Sequence, residues 1–190
     1  PLSFEWEKCR LETVSFGHGI TTTPLQAATV YAAIANNGLK IRPTLVKNEI
    51  NILNERLISE TTSHQLQKIL RKVVTDENGT ASLADIHGYS VSGKTGTSQN
   101  YNNKKNINTF VSFFDIDEKK KYTLLVLLED PKIAKNLIYD YRGQKIKALR
   151  NEAGWNAVYV AGKIIEKIGP ILAINKEEFQ SKNVVKKISF

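Results

Sequence analysis

The residues best equipped for chemistry lie in one short run, Gly88-Tyr89-Ser90-Val91-Ser92-Gly93-Lys94-Thr95-Gly96-Thr97, which sets a lysine among hydroxyls and glycines. Two kinds of chemistry fit it. As a phosphate-binding loop, Gly88 to Thr95 matches G-x-x-x-x-G-K-T, and Leu124 to Asp130 ends an apolar run in acids, as a Mg²⁺-binding strand would. That reading needs an apolar strand before Gly88 and a helix from Lys94, so that backbone N–H groups converge on phosphate. Leu83-Ala84-Asp85-Ile86-His87 is too short and broken for the strand, and Gly96-Thr97-Ser98-Gln99-Asn100 holds poor helix formers. As a strand, the same residues alternate: Tyr89, Val91, Gly93, Thr95 and Thr97 on one face, Ser90, Ser92, Lys94 and Gly96 on the other.

The other candidates are blander. His18, His64 and His87 have neither ligand spacing nor a neighbouring cysteine, so no metal site is expected, and His18 reads as structural between its glycines. Glu129-Asp130-Pro131 reads as a strand end, Trp155 as core on an apolar helix stripe, and Tyr101 as a solvated loop tip. The composition, 41% hydrophobic and 24% charged in 190 residues, is that of a globular domain with a core. The net charge of +8 raises nucleic acid as a partner. The lysines are dispersed, however, and Lys119-Lys120-Lys121 reads as a turn, so no nucleic acid is expected. Cys9 is single, which excludes an intrachain disulfide. No apolar run approaches the ~20 residues of a membrane-spanning helix. The start at Pro1-Leu2-Ser3 reads as mid-chain, so a longer protein is expected.

These residues must be positioned by a mixed set of elements. Residues 1–23 read as loop. Thr23-Pro24 is a helix start, and small residues continue at helical spacing to a stop at Asn36-Asn37-Gly38. Residues 45–50 and 52–58 read as short strands. A helix from Ser59 presents Leu66, Ile69, Leu70 and Val73 and ends at Asn78-Gly79, with one more turn over 80–84. Strands are expected over 88–97, 107–116 and 121–128, the first two antiparallel, with a polar loop over 98–106. No pattern settles 129–150. A last helix, Trp155 to Ile168, closes at Gly169-Pro170, and 175–190 is a polar, basic tail. Strands grouped between helices imply an α+β fold, an antiparallel sheet flanked by helices.

The order of several blocks carries a resemblance. Ser15-Phe16-Gly17-His18-Gly19-Ile20-Thr21-Thr22-Thr23-Pro24-Leu25-Gln26 is similar to a block upstream of the Lys-Thr-Gly strand of penicillin-binding proteins. The helix to Asn36, then Asn37-Gly38 and Arg42-Pro43, continue it. Val73-Val74, Gly79-Thr80-Ala81 and Val91-Ser92-Gly93-Lys94-Thr95-Gly96-Thr97-Ser98-Gln99 keep the order and spacing. Ala153-Gly154-Trp155-Asn156-Ala157 resembles the start of the C-terminal helix of the monofunctional, division-type (class B) members. The resemblance covers residues 1 to about 174 and implies the C-terminal portion of a β-lactamase/transpeptidase-like fold. The family's Ser-x-x-Lys occurs nowhere in the chain, and Ser98-Gln99-Asn100 and Ser181-Lys182-Asn183 match Ser-x-Asn only on the wrong side of the Lys-Thr-Gly strand. Both motifs are expected before Pro1.

What the resemblance implies is a peptidoglycan D,D-transpeptidase that acylates a serine with a stem peptide, is trapped by β-lactams, and needs no cofactor. The Thr97 backbone N–H is then an oxyanion donor, a kind of group whose loss costs about 3–4 kcal/mol. The Thr95 and Thr97 hydroxyls grip the terminal carboxylate. Lys94 polarises the Ser-x-Asn serine and attracts the anion, which requires strand twist to bring it round to the threonines. Gly96 lets a peptide lie against the strand and bond to its backbone. The implied setting is the periplasmic face of the bacterial inner membrane, with an anchor upstream and divisome partners. The isolated chain is expected to be inactive and to pair as a homodimer. Two alternatives stay open: a non-enzymatic module binding cell-wall peptides or a division partner, and a nucleotide hydrolase.

Overall fold

The computed structural model describes residues 10–15, 17, 19–46, 55–99, 105–117, 120–147 and 150–174. The sheet is built where period-2 and continuously apolar runs follow one another. β1 (Ser90–Gln99), β2 (Asn106–Asp115) and β3 (Lys121–Glu129) form an antiparallel meander in that order. The register pairs Val91 with Phe114, Thr95 with Phe110 and Thr97 with Asn108. β2 is central and covered on both faces, which is why Phe110, Val111, Ser112, Phe113 and Phe114 are all buried instead of alternating. β1 is an edge strand.

Helices close both faces. α1 (Arg10–Ser15) is a short turn of helix within the stretch expected to be loop. α2 (Pro24–Ala35) starts on a capping box: the Thr23 hydroxyl accepts from the Gln26 N–H at 3.2 Å, and the Gln26 side chain accepts from the Thr23 N–H at 2.9 Å. It ends at Asn37 and Gly38, both at positive φ, where a Cβ on Gly38 would lie 2.2 Å from the Ile58 carbonyl oxygen. α3 (Glu60–Thr75) is capped by Ser59 and stops at Asp76, before the expected Asn78-Gly79. Buried Ser63 and half-buried Gln67 donate to the Ile34 carbonyl at 2.6 and 2.8 Å, tying α3 to the end of α2. Ile34, Ala35, Leu70 and Phe113 form the core on this face. Ile69, expected on the apolar face, is 58% exposed.

The opposite face is covered by α4 (Ala157–Ala173). Val158, Ala161 and Ile165 pack with Val91, Phe110, Phe114 and Val126 in the larger core. The helix does not close at Gly169-Pro170 but runs through it. Pro170 lacks an N–H and weakens the last turns, yet Gly169 lets α4 settle on Tyr89, whose Oη would lie 2.5 Å from a Cβ there. Tertiary contact thus overrides the local stop signal. Residues 129–150, undetermined by pattern, contain a hairpin of β4 (Ile138–Tyr141) and β5 (Gln144–Lys147). Its two-residue turn has Arg142 and Gly143 at φ 55° and 76°, a primed hairpin turn. Trp155 is not on a helix stripe: it sits in a 3₁₀ turn, Ala153–Trp155, against Tyr139 and Tyr141 of the hairpin. Of the expected strands over 45–58, residues 47–54 lie outside the described residues, and 55–58 contribute a single bridge, Leu39 to Arg56.

Candidate functional site

The strand carrying Lys94 to Thr97 is held at both ends by side chains from outside the sheet. At its start, Arg71 of α3 donates to the Val91 carbonyl at 2.7 Å and to Asp85 at 2.9 Å. Midway, a Cβ on Gly93 would lie 2.5 Å from the Val111 carbonyl oxygen and 2.8 Å from the Phe110 ring, so only glycine fits this pairing. Toward its end, the Thr97 hydroxyl accepts from the Ala153 N–H at 3.2 Å. Beneath Thr97, its register partner Asn108 is fully buried and donates to the Asn151 carbonyl at 2.8 Å and to Asn156 Oδ1 at 3.1 Å. Asn156 in turn caps the N–H of Ala157 at 2.7 Å. The 3₁₀ turn and the start of α4 are thereby fixed to the site end of the sheet.

The register decides which backbone groups face outward. In an antiparallel pair, a residue's N–H and C=O point to the same edge, and this alternates along the strand. The Val91 carbonyl is taken by Arg71 and the Thr95 carbonyl by Lys94 Nζ at 2.9 Å, both from the side away from β2. Consistently, the Asn106 carbonyl on β2 is bonded from the β3 side by the Asp130 N–H at 2.7 Å. Gly93, Thr95 and Thr97 therefore present their backbone groups to the free edge of β1, and the Thr97 N–H is among them. Gly96 does not: its N–H and C=O point to Thr109 of β2. The strand's backbone groups open at this edge are thus those of Gly93, Thr95 and Thr97, not of Gly96. What Gly96 supplies is space, because a Cβ there would meet only the Thr109 Cβ, at 4.0 Å.

The side chains converge despite the alternation. Thr95 and Thr97 lie on the α4 face and Lys94 on the other, yet the lysine curls over the strand edge. Its ammonium comes within 3.4 Å of the Thr95 hydroxyl. Lys94, Gly96 and Thr97 are exposed and Thr95 is half-buried. One more hydroxyl joins them: Thr80 Oγ1 lies 2.9 Å from Thr95 Oγ1. Asp115, whose carboxyl burial pushes up against the opposing pull of Lys121, pairs with Ser90 at the far end of the strand pair and takes no part. No helix begins at Lys94, and β1 continues to Gln99, which overturns the phosphate-loop reading. Glu129 does end β3. His64 contacts Asn37 at 3.2 Å, His87 is exposed, and no group of three metal-ligating side chains occurs among the described residues. His18 and Tyr101 lie outside the described residues. Thr80, Arg71, Ala153 and Asn108 were not singled out as site residues from sequence. Thr80 and Ala153 lie in Gly79-Thr80-Ala81 and Ala153-Gly154-Trp155-Asn156-Ala157, but nothing local signals partners 15 and 56 residues away.

Comparison with known proteins gives the family and the fold. Residues 3–151 match the family model described as the penicillin binding protein transpeptidase domain. The chain is 32% identical over 187 residues to a probable peptidoglycan D,D-transpeptidase FtsI of Caulobacter vibrioides, covering 91% of this chain and 30% of that protein. It is 31% identical to the stage V sporulation protein D of Bacillus subtilis, over 63% of this chain and 21% of that one. The transpeptidase domain of penicillin-binding protein 3 from Burkholderia pseudomallei superposes with a TM-score of 0.68 at 21% identity, covering 87% of this chain and 47% of that structure. The chain thus spans about a third or less of the sequence relatives' length.

Proposed function

Because this chain belongs to the penicillin-binding protein transpeptidase family, we propose that it is the C-terminal part of a division-type peptidoglycan D,D-transpeptidase. The observation that carries the reading is the free edge of β1, where the Lys94 ammonium, the Thr95 and Thr97 hydroxyls and the outward Thr97 N–H occur together. A serine outside these residues attacks the D-Ala-D-Ala carbonyl, and the Thr97 N–H supports the oxyanion. D-Ala leaves with the serine's proton, and the amine of a second stem peptide displaces the serine, giving up a proton that restores the serine hydroxyl. Thr95 and Thr97 hold the terminal carboxylate, and Lys94 supplies positive charge to it and to the Ser-x-Asn serine. β-Lactams enter the same path and stop at the acyl stage.

The transpeptidase portion runs to residue 174, because α4 completes the core that buries Val91 and Phe110. No cofactor takes part. The whole protein works at the periplasmic face of the inner membrane with divisome partners, and the isolated chain pairs with itself. The test is acylation of the whole protein by a fluorescent penicillin. Lys94→Ala is expected to slow labelling by about 100-fold, in keeping with the loss of a preorganised charge. Labelling at the unsubstituted rate would refute the assignment of Lys94.

A further inference from the structure

The Lys-Thr-Gly strand does not set the Thr95 hydroxyl by itself. Thr80, 15 residues earlier, places its Oγ1 2.9 Å from Thr95 Oγ1. Three contacts fix Thr80 there. The Ala81 N–H donates to the Val73 carbonyl at 3.0 Å, anchoring the turn to the end of α3. A Cβ on Gly79 would lie 2.4 Å from that same Val73 oxygen, so the turn is pressed against the helix. A Cβ on Gly154 would lie 2.6 Å from the Thr80 carbonyl oxygen, so the 3₁₀ turn before α4 closes it from the other side. Ala81 and Ala153, next to these contacts, are fully buried. The Thr80 side chain is thus aimed at Thr95 by backbone packing and not by its own reach.

A hydroxyl has one hydrogen to donate and two lone pairs to accept with. Lys94 Nζ, which can only donate, lies 3.4 Å from Thr95 Oγ1. If Thr80 also donates, both lone pairs of Thr95 are engaged and its hydrogen is left for the open edge. The Thr97 hydroxyl is set the same way, because it accepts from the Ala153 N–H. Resting on the transpeptidase reading, we propose that Thr80 is a positioning residue that polarises Thr95 as a donor. The two threonines are then matched to an anionic ligand group and mismatched to a neutral ester.

The test is the acylation rate of the whole protein by benzylpenicillin and by its methyl ester. Thr80→Val, which keeps the shape and removes the hydroxyl, is expected to slow reaction with the free acid by about fivefold, the typical effect of losing one neutral hydrogen bond. The ester rate is expected to stay unchanged, so the preference for the acid shrinks. Thr80→Ser restores the preference, and in a Thr95→Val background Thr80→Val adds no further loss, because the two act as one unit. Equal slowing of acid and ester would mark a merely structural residue and overturn the proposal. So would a full additional loss in the double variant, or an unaffected Thr80→Val. An unsubstituted protein that no penicillin acylates would overturn the transpeptidase reading together with it.

Discussion

Gly93 and Gly96 stand three residues apart on β1 and do different work. At Gly93 a side chain would drive into the Val111 carbonyl and the Phe110 ring. Gly93→Ala is therefore expected to cost about 1–3 kcal/mol, the range for overpacking a fitted core site, read as a lowered midpoint of chemical denaturation. At Gly96 the added methyl meets almost nothing, so stability is expected to stay within about 0.5 kcal/mol. The same methyl narrows the face carrying Lys94, so penicillin acylation of the whole protein is expected to slow. A Gly96→Ala protein that unfolds early, or one that acylates at the full rate, would contradict this division of labour. The juxtaposition of Lys94, Thr95, Gly96 and Thr97 on one strand is legible in the sequence because the run is contiguous. That of Thr80, Ala153 and Arg71 is not, because their bonds to the strand cross 15, 56 and 20 residues of chain. Local periodicity carries no information on such distances.

At the scale of elements, signals that are local and unopposed were readable. The Thr23 capping box, the stop at Asn37-Gly38 and the antiparallel pair of β1 and β2 all followed from spacing and turn chemistry. Elements that depend on a neighbour are not legible locally. Gly169-Pro170 looked like a helix end, but the contact of Gly169 with Tyr89 carries α4 onward to Ala173. The β4–β5 hairpin escaped because Arg142, a residue that rarely adopts positive φ, occupies the first turn position where Asn or Asp would have announced it. The short α1 has six residues and no apolar stripe long enough to detect.

At the scale of the whole molecule, α2 leaves apolar side chains open. Only the C-terminal end of this helix, Ala33 to Ala35, is buried; its first turns are open, with Leu25 60% and Val30 52% exposed. Ile20, just before it, is 50% exposed. Apolar surface of this kind seldom stays uncovered on a soluble monomer. The isolated chain is therefore expected to self-associate, with its mass in sedimentation velocity rising across about a hundredfold concentration range, as mass action requires. Polar substitution of Leu25 and Val30 is expected to reduce the association. A constant monomer mass would refute the association.

If these residues supply the substrate-gripping strand of a serine acyl transferase, its nucleophile must lie outside them. Intact-mass measurement after benzylpenicillin treatment tests it most directly, on the 190-residue chain and on the whole protein side by side. The chain alone is predicted to stay unmodified. The whole protein is predicted to gain a single penicilloyl group on a serine outside residues 1–190. An adduct on any serine within the chain, or a whole protein that gains no mass, would contradict the account.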